Sequence, residues 1–278
     1  MKRFNASNAD PATIVDELLN GKGAVLISGL FSDAQIAEAR AIILEHSSQA
    51  DTVTHFQGQA EEEGKLNLQR RVWNLLAKGD VFSDMAAHPV IMDVLRKFLG
   101  SEFIMGSIAA NRILPGGLGQ EPHVDYPYWD FYKPESHPIG LNGSFPMNAQ
   151  VSILLDPFTE ETGATAYAPG SQKELRYPNE DDKFFDICER MLGEPGDVAL
   201  FYGVAWHCAM PNKSQQDRSA VLINYLPKWV KPLEDMPGAL SQEFLEAASP
   251  DLRQLLGLNY PYPELFDEVK AGNAVGRK

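Results

Sequence analysis

Residues 121–129 read Glu-Pro-His-Val-Asp-Tyr-Pro-Tyr-Trp and place a histidine and an aspartate two positions apart. On an extended strand, that spacing brings the side chains of His123 and Asp125 to the same face. A neutral imidazole and a carboxylate on one face can hold two adjacent positions of a metal ion. Because a short His-x-Asp match often arises by chance, the pattern needs support from the rest of the chain.

A second candidate ligand lies further along the chain. His207 ends an apolar, strand-like run, and Arg218 opens another one after a polar stretch. This order favours two antiparallel neighbouring strands, one with a metal ligand and the other with a guanidinium deeper in the same cavity, where it could bind a carboxylate through two hydrogen bonds. Together with His123 and Asp125, His207 would complete the two-histidine, one-carboxylate triad that is typical of non-haem Fe(II) oxygenases.

Four motifs follow one another in the order found in one known family. They are Pro115-Gly116-Gly117 through Gln120 to His123 and Asp125; the run Leu-Leu-Asp-Pro-Phe-Thr-Glu-Glu-Thr-Gly-Ala-Thr at 154–165; Pro169-Gly170-Ser171; and His207 with Asn212, Ser214 and Arg218, closed by Tyr225. With these motifs, strongest over residues 100–227, the sequence resembles the phytanoyl-CoA dioxygenase-like (PhyH) family of Fe(II)/2-oxoglutarate-dependent oxygenases. Two departures stand outside the ligand positions and therefore concern the substrate: Cys208-Ala209, where the family often has Gly-Ser, and Gln172, where it often has His.

The resemblance implies an iron centre. Fe(II) would bind His123, Asp125 and His207, which would form the catalytic centre and use O2. The implied reaction is hydroxylation of an unactivated C–H bond of a small molecule, with release of succinate and CO2. Related halogenases replace the carboxylate ligand with a small residue, so Asp125 favours hydroxylation over halogenation. Desaturation, epimerisation and ring formation stay open.

The resemblance also implies a site for 2-oxoglutarate. Its far carboxylate would pair with Arg218, because a buried dianion needs a fixed cation and arginine stays charged. Thr165 and Gln120 match family positions that hydrogen-bond this co-substrate. From the residues alone, either one could equally be an ordinary structural residue.

The substrate pocket is less clearly marked. Aromatic residues that follow the His-x-Asp pair or precede His207 could line a pocket or enclose a cationic group, and they could equally form a hydrophobic lid. Two polar residues on the preceding strand could meet an acidic substrate group. The candidates are Tyr126, Tyr128, Trp129, Trp206, Asn111 and Arg112.

The order of helical and strand-like patterns predicts the fold class. From Phe103 onward the hydrophobic period changes from helical to strand-like, and many short strands with turn signals follow. This predicts a mainly β protein with flanking helices, and the family resemblance implies a double-stranded β-helix, the jelly-roll core of cupin-like proteins. We expect a single domain over 1–278, with a helical N-terminal part at about 1–100, a jelly-roll core at about 101–230 and a helical C-terminal part at about 231–278. Residues 197–207 are predicted as one strand.

Composition restricts the partners and the compartment. A formal net charge of −14 disfavours nucleic acid and anionic membrane surfaces, so a small-molecule substrate is expected. Two cysteines do not make a disulfide framework, and no apolar segment follows the basic N-terminus. Both observations favour a cytoplasmic protein without a signal peptide. The oligomeric state and the identity of the substrate are not specified by the sequence.

Two other classes of protein remain open. A jelly roll that binds or senses a small molecule without catalysis would keep the fold, and a cupin-type metal-dependent isomerase or hydrolase would keep the metal but ignore 2-oxoglutarate. Zinc is the alternative metal for nitrogen and oxygen ligands. Structural zinc sites, however, usually fill four positions and use cysteine, and no cysteine pair accompanies these residues.

Overall fold

The computed structural model describes residues 1–48, 68–128 and 146–261. The α-helices in these ranges are α1 (Pro11–Leu19), α2 (Asp33–Ser47), α3 (Asp80–Ala86), α4 (Pro89–Phe98), α5 (Phe184–Ile187), α6 (Gln242–Ala247) and α7 (Pro250–Leu255). The β-strands are β1 (Lys2–Asn5), β2 (Ala24–Ser28), β3 (Gln69–Val72), β4 (Phe103–Ile113), β5 (Ala149–Leu154), β6 (Ala166–Tyr167), β7 (Glu189–Arg190), β8 (Val198–Phe201), β9 (His207–Cys208) and β10 (Arg218–Pro227).

The N-terminal helices begin at the capping residues that the sequence indicates. The side chain of Asp10 accepts a hydrogen bond from the Thr13 amide before α1, and Ser32 forms a capping box with Gln35 before α2. His88 precedes α4, and its ring nitrogen accepts from the Val90 amide. His88 is therefore a helix-start residue.

Two sheets form the core. The large sheet has the strand order β1-β2-β8-β5-β10-β4-β3, and all of its pairs are antiparallel except β1 with β2. The small sheet has the order β7-β6-β9. This is the sheet-dominated fold with flanking helices that the sequence predicts, with the addition that β1, β2 and β3 come from the N-terminal part and join the large sheet.

The two faces of the large sheet have different partners. Because side chains alternate along a strand, Val221, Ile223 and Tyr225 of β10 share one face, and they belong to the same apolar cluster as residues of α1, α2 and α4. Ala220, on the other face, clusters with Tyr167 of the small sheet. Helices thus cover one face of the large sheet, and a chamber between the two sheets holds the polar residues of β10.

Two predictions about the C-terminal strands are wrong. Residues 197–207 form two strands, β8 and β9, which lie in different sheets. His207 and Arg218 accordingly lie on strands of opposite sheets, and not on neighbouring strands of one sheet. The reason is that the chain between them crosses from one sheet to the other.

The crossing segment is held by motif residues. The Asn212 side chain donates to the carbonyl oxygens of Ile113 and Gln216 (3.1 and 2.7 Å) and accepts from the Ser214 amide (3.0 Å). Gly163, with a φ of +78°, approaches the same segment so closely that a Cβ would lie 2.3 Å from the Met210 carbonyl oxygen. The Asn-x-Ser and Thr-Gly motifs therefore shape the crossing.

Candidate metal centre

The two histidines and the aspartate of the predicted triad meet in the chamber. Nε2 of His207 lies 3.1 Å from one carboxylate oxygen of Asp125, and Nε2 of His123 lies 3.7 Å from the other. The three potential ligand atoms are within 4.8 Å of one another. Sequence reasoning therefore selected residues that the fold brings together, although they come from two separate segments.

Main-chain hydrogen bonds join the two ligand segments. The amides and carbonyls of His123 and His207 exchange two bonds of 3.0 and 3.1 Å, and the Asp125 amide donates to the Gly203 carbonyl (2.8 Å). The pairing of His123 with His207 is an isolated bridge, so the strand predicted around residue 123 is reduced to a single pair. This single bridge between His123 and His207 still brings the side chains of His123, Asp125 and His207 together.

Each histidine is oriented by a carbonyl oxygen two residues earlier in the chain. Nδ1 of His123 lies 2.7 Å from the Glu121 oxygen, and Nδ1 of His207 lies 2.9 Å from the Ala205 oxygen. Since a carbonyl oxygen only accepts, we assign the proton to Nδ1 in both rings. Each Nε2 then offers a lone pair, which is the arrangement that a metal ligand needs.

The charges in the cluster suit a cation. Burial would raise the pKa of Asp125, but the two imidazoles and Arg71 outweigh this effect and hold the pKa below its ordinary value. Burial and the neighbouring His207 lower the pKa of His123. Burial also opposes charge on His207, yet the Asp125 carboxylate raises its pKa. An ionised carboxylate between two imidazoles is a donor set for a divalent ion.

Arg218 lies buried at the start of β10, on the chamber side. Its side chain is 4% exposed and its guanidinium carbon is 5.0 Å from the centre of the Phe158 ring. Nη1 is buried and has no hydrogen-bond partner among the described residues. Burial and the charge of Arg190 lower its pKa. A buried cation with an open donor is a site for an anion.

The position of Arg218 depends on Asp156, which sequence reasoning did not single out. The Asp156 carboxylate accepts from the Ser219 amide (2.8 Å) and pairs with Arg40 (2.8 Å). The Leu155 amide donates to the Ser219 carbonyl (3.0 Å). The aspartate of the Leu-Leu-Asp-Pro motif thus anchors the residue that follows Arg218, and the motif itself was the available signal.

Gln120 and Thr165 lie on the two sides of β9. The Gln120 amide donates to the Ala209 carbonyl (2.8 Å), and its side-chain oxygen accepts from the Ala209 amide (3.2 Å). Thr165 is half-buried, and its carbonyl accepts from the Met191 amide (2.8 Å). These contacts place both residues beside the ligand strand, and their contact with a co-substrate stays a prediction.

Arg71 is a second arginine of the chamber, and the sequence analysis did not predict it. Arg71 of β3 pairs in register with Asn111 of β4, and its guanidinium carbon lies 5.2 Å from the centre of the Trp73 ring. Its positive charge acts on the carboxylates of Asp125 and Glu234, although burial lowers its own pKa to about 10. It occurs in no motif and stands at the end of a polar stretch that reads as surface loop, so the sequence carried no signal for it.

Two of the predicted substrate residues are engaged in packing. Trp206 is 3% exposed, its indole nitrogen donates to the Arg176 carbonyl (2.8 Å), and the Arg176 guanidinium lies 4.6 Å from the ring centre. The Tyr128 hydroxyl donates to the Tyr202 hydroxyl (3.1 Å) and accepts from the Met147 amide (2.7 Å). These contacts account for both side chains without a substrate, and their predicted substrate contact stays untested.

The other candidates differ in their surroundings. Arg112 pairs with Asp217 (2.6 Å), and the Tyr126 hydroxyl donates to the Lys231 carbonyl (2.5 Å). Asn111 is 8% exposed, and its side-chain oxygen has no partner among the described residues. Of these residues, Asn111 therefore retains an open polar atom. Trp129 lies outside the described residues.

Two open cavities lie elsewhere on the surface. One of about 590 Å³ is lined by Asp84, His88 and Phe244, and one of about 550 Å³ by Cys188 and Arg190. Neither is lined by a residue of the triad. The candidate site is therefore marked by the close approach of three potential ligand atoms, and not by the volume of a cavity. No helix in the described ranges is both long and apolar enough to cross a membrane.

The fold and the triad define a jelly-roll protein with a two-histidine, one-carboxylate metal centre. The phytanoyl-CoA dioxygenase (PhyH) family matches residues 19–220, and the chain belongs to this family. That range contains every residue described above for the triad and Arg218.

The curated relatives have low sequence identity to this chain. Dioxygenase af480 of Aspergillus fumigatus is 26% identical over 197 residues, which are 68% of this chain and 59% of that protein. Dioxygenase lolE1 of Epichloe uncinata is 28% identical over 148 residues, 51% of this chain and 53% of that protein. The chain thus spans less than two thirds of both. A probable alpha-ketoglutarate-dependent hypophosphite dioxygenase of Stutzerimonas stutzeri is 26% identical over 233 residues, 76% of this chain and 77% of that protein.

Solved structures share the fold. The non-heme alpha ketoglutarate dependent epimerase SnoN from nogalamycin biosynthesis has a TM-score of 0.62 at 17% identity, covering 84% of this chain and 93% of SnoN. HygX from Streptomyces hygroscopicus, with nickel, 2-oxoglutarate and hygromycin B bound, has a TM-score of 0.58 at 14% identity, covering 77% of this chain and 86% of HygX. These likenesses confirm the jelly-roll architecture.

Proposed function

We propose that this protein is an Fe(II)/2-oxoglutarate-dependent dioxygenase that hydroxylates an unactivated C–H bond of a small molecule. The observation that carries the proposal is the buried Nη1 of Arg218, which has no hydrogen-bond partner among the described residues and lies in the same chamber as the triad. A metal site alone would not require a buried cation. A dianionic co-substrate that is held at the metal and reaches into the chamber would account for it.

The residues fit the group that the family implies. His123, Asp125 and His207 would hold Fe(II), and nitrogen and oxygen donors with open positions are the usual set for this ion. Bound iron would use O2 to oxidise both partners, so that one oxygen atom enters the C–H bond of the substrate and the other enters succinate as 2-oxoglutarate loses CO2. The chain itself orients the donors through the carbonyls of Glu121 and Ala205, and no fourth His, Cys, Asp or Glu joins the group among the described residues.

Two arginines, the buried Arg218 and the half-buried Arg71, would match the two carboxylates of 2-oxoglutarate. Arg218 would bind the far carboxylate, and its planar fork suits two parallel hydrogen bonds. Arg71, whose charge acts on Asp125, would offset the negative charge at the metal end. Gln120 and Thr165, beside β9, would add hydrogen bonds. The chamber excludes water around Arg218 through Phe158.

The small molecules named for the relatives and structural neighbours differ from one another. Family membership therefore does not select one. An amino-acid derivative, a compatible solute, a phosphonate or a natural-product intermediate would fit a small chamber. The two free cysteines, Cys188 and Cys208, support the predicted cytoplasmic location.

The test is an anaerobic titration of the metal-free protein with Fe(II) and then 2-oxoglutarate, followed by visible absorption. We expect a charge-transfer band that needs both additions and is lost in His207→Ala and in Arg218→Ala. Metal binding without such a band would favour the cupin-type isomerase or hydrolase. Failure to bind metal would favour a non-catalytic binding protein.

A further inference from the structure

A pair of buried oxygen atoms lies on the chamber side of β4 and β10, next to the segment that follows β10. This segment returns to the large sheet, where the amides of Leu233 and Glu234 both donate to the Gly106 carbonyl (2.9 and 3.3 Å). The register of β10 against β4 shifts between Asn224 and Tyr225, so a β-bulge lies opposite this contact. Bulges at such places often re-aim a side chain toward a site.

Asn224 presents the first of these oxygens. It shares the chamber face with Arg218 through the two-residue period of β10 and is 5% exposed. Its side-chain nitrogen donates to the Tyr126 carbonyl (3.5 Å), which assigns the amide orientation. The oxygen Oδ1 is buried and has no partner among the described residues. A Cβ on Gly106 would lie 2.4 Å from Oδ1, so a residue with a side chain at this position would displace the oxygen.

Glu234 presents the second oxygen. Ser107, which pairs with Asn224 in register, stabilises the Glu234 carboxylate together with the Ile108 amide. The other carboxylate oxygen, Oε1, is buried and has no partner in the ranges that the structure describes. Burial raises the pKa of Glu234, and the nearby charge of Arg71 partly offsets this effect. Since Arg71 also acts on Asp125, Glu234 lies within electrostatic range of the residues around the metal centre.

The two open atoms have the same hydrogen-bonding character. Both are acceptors, and leaving a buried acceptor unpaired costs free energy. A ligand that satisfies them must therefore bring N–H or O–H donors, and the carboxylate favours a positive charge. A carboxylate or phosphate on the ligand would be repelled at this position.

We propose that Glu234 and Asn224 bind a protonated amine of the substrate. The proposal rests on the proposed function, because it describes the substrate side of the same chamber. It narrows the substrate class to small molecules that carry a primary or secondary amine, which present several N–H donors from one charged atom. It also makes Glu234 a specificity-determining residue.

The test compares three probes that share one ring and differ in one polar group: cyclohexylamine, cyclohexanol and cyclohexanecarboxylate. Binding to the metal- and 2-oxoglutarate-loaded protein is measured by ligand-observed NMR under anaerobic conditions. We expect the amine to bind better than the other two. We expect Glu234→Gln and Glu234→Ala to weaken amine binding about tenfold or more, because a hydrogen bond to a charged group is lost. Glu243→Gln, at an exposed position of α6, is the matched control and should bind as the wild type does.

Three results would overturn the proposal: no amine binding by the wild type, equal binding of the amine and the carboxylate, or amine binding that Glu234→Gln leaves unchanged. The charge-transfer titration with Fe(II) and 2-oxoglutarate, run on the same variants, separates this proposal from the proposed function. Amine binding that depends on Glu234 and persists without a charge-transfer band would support the amine site and reject the co-substrate. A charge-transfer band together with amine binding that does not depend on Glu234 would support the co-substrate and reject the amine site.

Discussion

At the scale of single residues, the same local device orients both histidine ligands. Each ring donates from Nδ1 to the carbonyl oxygen of the residue two positions earlier, Glu121 for His123 and Ala205 for His207. The orientation therefore depends on the ligand's own segment and needs no side-chain partner. Main-chain acceptors of this kind fix the tautomer as effectively as a carboxylate does.

Removing the charge of Arg218 should have opposite effects on the stability of the metal-free protein and on its affinity for 2-oxoglutarate. Replacing Arg218 with Met should abolish 2-oxoglutarate binding. It should also stabilise the metal-free protein, because a buried guanidinium whose Nη1 has no partner in the described part of the chain is replaced by an apolar side chain. Urea unfolding and 2-oxoglutarate titration measure the two effects. Lys97→Met, which removes an exposed cation, should change neither. A loss of stability in Arg218→Met would mean that the guanidinium is satisfied within the fold.

At the scale of elements, the crossing between β9 and β10 determines the site. The small sheet supplies His207 and the large sheet supplies Arg218, so the segment between them sets how far the two side chains are apart. The Asn212 side chain ties this crossing to β4 through the Ile113 carbonyl and also bonds the Gln216 carbonyl within the crossing.

We predict that Asn212→Ala destabilises the protein by about 1–3 kcal/mol, the cost of leaving buried main-chain groups unpaired. It should also weaken 2-oxoglutarate binding more than metal binding, because Arg218 lies beyond the crossing whereas the triad is joined by its own backbone pairing. Urea unfolding and separate titrations of metal and co-substrate would test this. Ser214→Ala removes a hydroxyl that bonds the Asn212 side chain and the main chain of Gln216. Because its bonds to Gln216 are exposed and it does not reach β4, this variant should give a smaller loss in both. Equal loss of the two affinities would contradict this account.

Glu189 of β7 gives a pH-dependent prediction for the edge of the small sheet. Burial would raise its pKa, but bonds from Lys22, the chain's amino terminus and Tyr167 outweigh burial and hold it at about 2. The pKa of this carboxyl is near 4.5 in the unfolded chain, so its ionised form stabilises the fold at pH values above 4.5. This stabilisation is lost as the pH falls from 4.5 toward 2.

Glu189→Gln should therefore be less stable than the wild type at pH 7, and the difference should shrink as the pH falls below about 4.5. Urea unfolding at pH 7, 4.5 and 3.5 would measure it. Because the side chain is partly solvated, we expect a small effect. A difference that is constant with pH would show that the carboxylate charge does not contribute.

At the scale of the whole molecule, the ligands would connect the two sheets. The triad involves the small sheet and the segment around residue 123, whereas Arg218 and Arg71 belong to the large sheet. A dianion bound to both sides would bridge the chamber.

We predict that Ni(II), an oxygen-stable divalent ion, raises the Tm of the metal-free protein, and that 2-oxoglutarate raises it further when the metal is present. At a hundredfold excess over Kd, binding to the folded state alone contributes about 2.7 kcal/mol per ligand. Differential scanning calorimetry of the four combinations would test this. His207→Ala should lose the metal-dependent shift. An equal 2-oxoglutarate shift with and without the metal would argue against a shared site.

Three features could be predicted without the structure: the candidate ligand set, the order of the motifs and the change from helical to strand-like periodicity at Phe103. These features are local: a His-x-Asp spacing, a capping residue or a two-residue period can be recognised within a few neighbouring positions. Arg218 could also be selected, because it stands at a fixed place after His207 in the family motif.

The packed structure was needed to show that β9 and β10 lie in opposite sheets and that Asp156 anchors the start of β10. It was also needed to bring Arg71, Asn224 and Glu234 near one another. These residues come from β3, β10 and the segment after it, and no sequence spacing relates them. Their roles depend on which face of a strand turns inward and on what packs against it. Those are non-local properties of the packed chain. They set the polar surroundings of the candidate metal centre, whereas its three candidate ligands could be predicted from local sequence motifs.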